Sequence, residues 1–243
     1  MAELAAIFFD IDDTLYSTSD FARRARAASV DAMIAQGLAF PREELLAELD
    51  EVVREFTSNY SSHYNRLLQR LPRRALKGVN TALVVAAGVV AYHETKAREL
   101  VPYPDALALL KRLAKAKLTL GVITDGLEVK QAEKLVRLGV LPYLNPQAVY
   151  ISDQVGINKP NAKLYLRACA DLNLKPASVM YVGDNPKNDI DPPNKIGMIT
   201  VRLRRSGKYL AEESETPPRY DIREFGELEE ILARDFGLAL ERE

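Results

Sequence analysis

Hydrophobic positions along the chain follow two rhythms. Ala5 to Phe9, Leu118 to Thr124, Ala148 to Ser152, Ser178 to Gly183 and Met198 to Leu203 are short apolar runs closed by polar or glycine-bearing turns. Such runs are expected of central parallel strands covered on both faces. Between them, Glu128 to Leu138 and Lys163 to Leu172 repeat their apolar residues at helical spacing. Strand alternating with helix predicts an α/β fold with a doubly wound parallel sheet. In that architecture ligands bind outside the carboxyl ends of the strands, so the polar residues closing each run carry the functional reading.

From Tyr16 to about Leu100 the strand rhythm disappears. Helices are predicted over Phe21 to Ile34, Pro41 to Phe56, Tyr60 to Leu71 and Leu76 to Lys96, with Pro41 suited to a first helical turn. This is an all-helical insertion after the first strand, hinged at Leu15 to Ser19 and at Glu99 to Pro104, where two prolines halt helical continuation. The expected organisation is a core domain from residues 1-16 and 101-243, and a helical domain over 17-100. Ala82 to Tyr92 is the longest apolar stretch, shorter than the roughly 20 residues a membrane span needs, and is expected to be a buried soluble helix. A proline-containing loop over Glu212 to Pro218 precedes a short strand near Tyr220 and a closing helix from Phe225 to Phe236.

Composition narrows the partners. With 243 residues, 47% hydrophobic and 28% charged, the chain can bury a core and stay dissolved. Lys plus Arg total 33 against 34 for Asp plus Glu, a formal net charge of -1, so no global field attracts nucleic acid or an anionic membrane, and neither is expected as a partner. The one cysteine, Cys169, excludes an intramolecular disulfide and a thiolate zinc site. The first residues lack a basic region and run into Asp10, Asp12 and Asp13, so a reduced, cytoplasmic setting is expected rather than export.

Four polar clusters end successive predicted strands. Asp10-Ile11-Asp12-Asp13-Thr14 closes the first, its dipeptide spacing putting Asp10 and Asp12 on one side of the sheet edge. Thr124-Asp125-Gly126 closes the second and offers a hydroxyl and backbone N–H groups suited to a phosphate oxygen, although plain turn chemistry uses the same residues. Lys159 follows the third, a position where most lysines are solvated surface. Gly183-Asp184-Asn185, with Asp189, presents two acids beyond the fourth at a spacing that can serve one hard cation, where a helix cap is the alternative. Independent turns would scatter, whereas these clusters fall in register with the strands.

On these residues the chain resembles the haloacid dehalogenase superfamily, whose four motifs correspond to Asp10-Ile11-Asp12-Asp13-Thr14, Thr124, Lys159 and Gly183-Asp184 with Asp189. The likeness spans about Ile7 to Val201, and the helical insertion is similar to the first-position cap of that superfamily's small-molecule phosphatases. The resemblance implies a Rossmann-like core with an inserted cap domain and a Mg²⁺-dependent phosphatase acting on a small phosphate ester, of sugar or triose phosphate type. Asp10 would be the nucleophile, forming an aspartyl-phosphate, and Asp12 the general acid and base. Thr124, Lys159 and the backbone near Asp125 would hold the phosphoryl oxygens. Mg²⁺ would be held by Asp10, Asp184, Asp189 and the backbone carbonyl of Asp12.

Other residues are weaker candidates. Asp13 and Thr14 are assigned to structure, Asp153 either orients Lys159 or is a surface acid, and Asn185 belongs either beside the metal or to a turn. His63, His93 and the basic stretch Arg66, Arg70, Arg73, Arg74 and Lys77 fit a solvated helical surface better than a substrate contact. Cys169 reads as a small core residue. Pro192 and Pro193 are expected to shorten or distort the helix after Asp189. A phosphosugar mutase shares the four core motifs and is the alternative within the superfamily; outside it, a phospho-accepting signalling receiver and an inactive binding module are the other readings. Nothing in the sequence sets an oligomeric state.

Overall fold

A computed structural model describes residues 4–205 and 207–240. Six strands form one sheet: β1 (Ala6–Phe9), β2 (Thr119–Thr124), β3 (Val149–Ile151), β4 (Val179–Gly183), β5 (Ile199–Leu203) and β6 (Tyr220–Ile222), in spatial order β3-β2-β1-β4-β5-β6 with every pairing parallel. Central β1 is fully buried, and Phe9 lies in register with Val122 of β2 on one side and Val182 of β4 on the other. The strand order reverses between β1 and β4, so the ends of β2, β1 and β4 open side by side at a topological switch point.

The helices are α1 (Thr18–Ala35), α2 (Arg42–Phe56), α3 (His63–Arg70), α4 (Thr81–Glu99), α5 (Pro104–Leu113), α6 (Glu128–Leu138), α7 (Ser152–Val155), α8 (Lys163–Asp171), α9 (Asp191–Lys195) and α10 (Phe225–Phe236). The chain divides into two compact units, one built from residues up to Ser19 and from Val101 onward, the other from Asp20–Leu100. In the first unit, Phe8, Ile123, Tyr150, Leu164, Tyr165, Ala168, Cys169 and Tyr181 join one core cluster, in which Phe8 meets Tyr150 edge-on with ring centres 6.1 Å apart. Phe9 meets Phe225 of α10 edge-on at 6.2 Å. Alternation along β1 thus sends successive phenylalanines to opposite cores.

The second unit packs Val30 and Met33 of α1, Leu45 and Leu49 of α2, Leu67 and Leu68 of α3 and Val84 of α4 into its own core. Pro41 is the residue before α2 rather than within its first turn. The helix expected from Leu76 is broken into a 3₁₀ turn, Arg73–Leu76, and α4, because Gly78 takes a left-handed φ of 80° and the Asn80 side chain caps α4 at the Ala82 N–H. Ala82 to Tyr92 is not a buried helix: within α4 only Val84, Gly88 and Thr95 are buried, while Leu83 and Val90 are each 54% exposed. A helix turns about 100° per residue, so a small four-helix unit covers one stripe of it and leaves the rest of an apolar sequence facing outward. Among the described residues no helix is long and apolar enough to cross a membrane.

Asp189 lies within a π-type turn, Pro186–Ile190, which is followed by α9 of five residues with Pro192 and Pro193 near its start. Proline is accepted there because first-turn N–H groups have no helical partner. The segment beyond β5 is tied down by Arg202, fully buried on β5, which donates to the Tyr209 carbonyl at 3.0 Å, to the Glu212 carbonyl and to Glu213 at 3.0 Å.

Since Phe8 is wholly buried in the central strand, Phe8→Ala should cost about 3–5 kcal/mol in a urea unfolding titration. A loss below about 1 kcal/mol would mean this cluster does not hold the sheet.

Candidate active site

Asp10 sits one residue past β1, its N–H bonded to the Val182 carbonyl of β4 at 2.9 Å. Lys159, carried by the loop between α7 and α8, is buried. The Nζ donates at 2.7 Å to Asp10 Oδ1, to Asp189 Oδ1 and to the Tyr181 hydroxyl, whose own proton goes to the Ile123 carbonyl at 2.7 Å. Asp189 Oδ2 accepts from the Asn185 N–H at 3.0 Å, so both oxygens of that carboxylate are engaged. Gly183 makes this packing feasible: a Cβ there would lie 2.4 Å from Asp189 Oδ2.

Asp184 completes the group. Oxygens of Asp10, Asp184 and Asp189 lie within 4.8 Å of one another, all three residues are buried, and Asp184 Oδ2 has no hydrogen-bond partner among the described residues. Three carboxylates thus share one buried ammonium, while exposed Lys208 also feels the charge of Asp184. Burial, then the neighbouring charges of Asp189, Asp10 and Asp13, pushes the Asp184 carboxyl up to about 9. Burial likewise raises Asp10 to about 7, Lys159 opposing the shift and Asp189 and Asp12 adding to it. Burial works against the Lys159 charge, but Asp10 and Asp189 outweigh it and hold the ammonium well above the ordinary lysine value. An orphaned buried oxygen beside two further carboxylates fits a hard divalent cation, and these three acids could hold one.

Asp12 stands outside that carboxylate group and has a separate set of partners. Its Oδ1 accepts from the Tyr16 hydroxyl at 2.8 Å, the Thr18 hydroxyl at 2.7 Å and Lys134 Nζ at 2.7 Å; Oδ2 accepts from Lys134 Nζ at 2.7 Å and Gln131 Nε2 at 3.2 Å. Burial would raise this carboxyl, but the Lys134 charge and the hydrogen bonds from Lys134, Thr18 and Tyr16 hold it below the usual aspartate range. The same Gln131 nitrogen donates to Thr124 Oγ1 at 2.7 Å and to the Asp125 carbonyl at 2.8 Å, linking the end of β2 to the Asp12 turn.

The sequence-selected residues therefore fall into two linked groups. Asp10, Lys159, Asp184 and Asp189 converge directly; Asp12 and Thr124 meet through Gln131, and the Asp125 carboxylate accepts the Lys159 backbone N–H at 3.2 Å. Asp13, at a left-handed φ of 53°, receives the Ser19 N–H and hydroxyl at the start of α1, a structural task. Asp153 does not orient Lys159: its carboxylate accepts the Glu128 N–H at the start of α6, where an anion suits the unpaired amides. The Asn185 side chain caps the turn at Lys187 and Asn188. His63 pairs with the Thr57 carbonyl, and Arg70 with Glu48 and Glu55, within the helical unit.

Tyr181, Gln131 and Lys134 were not singled out from the sequence. Tyr181 looks like any aromatic of a buried strand. Gln131 and Lys134 look like the polar face of an amphipathic helix, and their spacing of three, which sets both on one side of α6, is the one signal pointing to a shared partner.

Residues 4–197 match the model of the haloacid dehalogenase-like hydrolase family. The glyceraldehyde 3-phosphate phosphatase of Methanopyrus kandleri is 42% identical over 243 residues, covering 96% of this chain and 100% of that relative. Another protein of that name, from Methanocaldococcus jannaschii, is 37% identical over 229 residues, covering 94% of this chain and 97% of its own. A HAD phosphatase structure from Thermococcus onnurineus, 22% identical, superposes with a TM-score of 0.66 over 94% of this chain and 98% of that one, a likeness of fold. With its acids gathered at the ends of β1 and β4 and the family model spanning residues 4–197, the chain belongs to the haloacid dehalogenase-like hydrolases.

Proposed function

We propose that this protein is a phosphatase that hydrolyses a triose phosphate, of the glyceraldehyde 3-phosphate kind, through an aspartyl-phosphate on Asp10, with residues 17-100 serving as its cap domain. The observation that carries the reading is the buried group in which Lys159 holds Asp10 and Asp189 while Asp184 Oδ2 is left without a partner. The substrate class is supported by the names of the relatives at 42% and 37% identity.

Each residue has a task in this chemistry. Lys159 fixes one oxygen of the Asp10 carboxylate and brings positive charge to the place where phosphoryl oxygens arrive; the Thr124 hydroxyl and the backbone near Asp125 supply further donors. Asp10 forms the new bond to phosphorus as the ester P–O bond breaks, its electron pair passing to the ester oxygen and a proton on Asp12 following it. Water then attacks the phosphorus, giving its proton to the Asp12 carboxylate, and the bond to Asp10 breaks to release inorganic phosphate. The two half-reactions share one carboxyl, protonated in the first and ionised in the second, each contributing about 10²–10⁴-fold. Pairing with Lys134 matches the ionised form. Mg²⁺ would be held by Asp10, Asp184 and the Asp12 carbonyl, with Asp189, whose oxygens already accept from Lys159 and Asn185, serving directly or through water. When bound, the ion neutralises charge between an anionic nucleophile and an anionic ester.

Two outcomes test this reading. With Mg²⁺ present, Asp10→Asn should reduce phosphate release from glyceraldehyde 3-phosphate by about 10³-fold or more, with circular dichroism unchanged; full activity in that variant removes Asp10 as nucleophile. The second outcome follows from proton linkage. Asp10 and Asp184 have folded values of about 7 and about 9 against 3.8 for an ordinary aspartate, so without a cation the folded state binds more protons and loses stability as pH rises through that window. A cation displaces those protons, so the gain in Tm on adding millimolar Mg²⁺ should be larger near pH 8.5 than near pH 6 and should shrink in Asp184→Asn. An equal gain at both pH values would contradict the assignment.

A further inference from the structure

The carboxylate of Asp12 accepts five hydrogen bonds from four side chains. Oδ1 is loaded by Tyr16 at 2.8 Å, Thr18 at 2.7 Å and Lys134 at 2.7 Å, more than its two lone pairs serve well. Oδ2 has Lys134 at 2.7 Å and Gln131 at 3.2 Å. That Gln131 nitrogen has two hydrogens and three acceptors, and its contacts to Thr124 at 2.7 Å and the Asp125 carbonyl at 2.8 Å are the shorter ones, so Oδ2 is held firmly by Lys134 alone. Tyr16 and Thr18 follow Asp12 closely in sequence and fix only Oδ1. Among the described residues the lysine is the one partner that bridges both oxygens and so sets the rotation of the carboxyl plane. Its side chain is 19% exposed, and its bonded partner is Asp12 rather than the group around Lys159.

We propose that Lys134, on α6 with Gln131 one turn before it, is the positioning residue for Asp12: by bridging the two oxygens it turns the crowded Oδ1 toward Tyr16 and Thr18 and keeps Oδ2 as the atom that exchanges the proton with the leaving group. This rests on the phosphatase reading above. It adds a residue outside the four motifs, on α6, the helix whose Gln131 also holds Thr124. In the first half-reaction the P–O electron pair goes to the ester oxygen and the proton on Oδ2 goes with it. A carboxyl rotated away from that oxygen leaves the alkoxide unprotonated, and the penalty falls only on leaving groups that need the proton.

The test follows from that selectivity. Leaving-group release is measured in single turnovers, enzyme in excess with Mg²⁺, for glyceraldehyde 3-phosphate, whose alkoxide needs a proton, and for 4-nitrophenyl phosphate, whose phenolate departs without one. Lys134→Met should slow the alkyl ester about tenfold or more, up to the 10²–10⁴-fold of general acid catalysis, and the aryl ester less than about threefold. Lys134→Arg, which can still bridge two oxygens, should restore most of the alkyl rate. Equal losses on both esters would show a merely structural role, and an alkyl rate unchanged or raised would show that Lys134 does not position Asp12; either result overturns the proposal. Wild-type protein that cleaves neither ester would instead remove the underlying phosphatase reading.

Discussion

The arrangement depends on one buried ammonium. Lys159 lies among Asp10, Asp184 and Asp189, with 2.7 Å contacts to two of them. If every group were ionised, three negative charges would face one positive charge, leaving an excess of two in a space from which water is largely excluded. Such an excess cannot stand unrelieved, because desolvation costs several kcal/mol per buried ion after relaxation. Either protons or a divalent cation must relieve it. Burial and the neighbouring carboxylates raise the Asp184 carboxyl, the direction that this excess of negative charge dictates. On the proposed phosphatase reading, the cation site and the nucleophile would answer one electrostatic imbalance, in which Lys159 balances one of three carboxylate charges.

The sheet topology makes that imbalance possible. Asp10 continues β1, Gly183 ends β4 and Thr124 ends β2, three adjacent strands whose termini share one edge. The π-type turn over Pro186–Ile190 then folds Asp189 back against Gly183, at a separation only a residue without a Cβ allows. Fully buried strands of branched and aromatic residues hold these termini still, which keeps carboxylates within hydrogen-bonding range of one ammonium.

Much of this was legible in the sequence, for physical reasons. A parallel strand buried on both faces must be an apolar run, and chemistry at its end must interrupt that run, so the four motif segments stand out as polar stops. The closing helix Phe225–Phe236 and α6 carry the bounds that their periodicity indicates. Residues acting from within an element were hidden: Tyr181 is one apolar-looking position of β4, and Lys134 is one polar position of an outward helical face. Their roles come from what lies opposite them, which no local pattern records. The same limit explains α4, where an unbroken apolar sequence suggests burial but the size of the helical unit leaves Leu83 and Val90 in the open.

The central claim is that Asp10 accepts the phosphoryl group. Acid-quenching the enzyme during turnover, reducing any acyl phosphate with borohydride and mapping peptides by mass spectrometry tests it directly, because only a phosphorylated aspartate is converted to homoserine. The account predicts homoserine at position 10 and at no other aspartate; homoserine elsewhere, or none under conditions of active turnover, would contradict it.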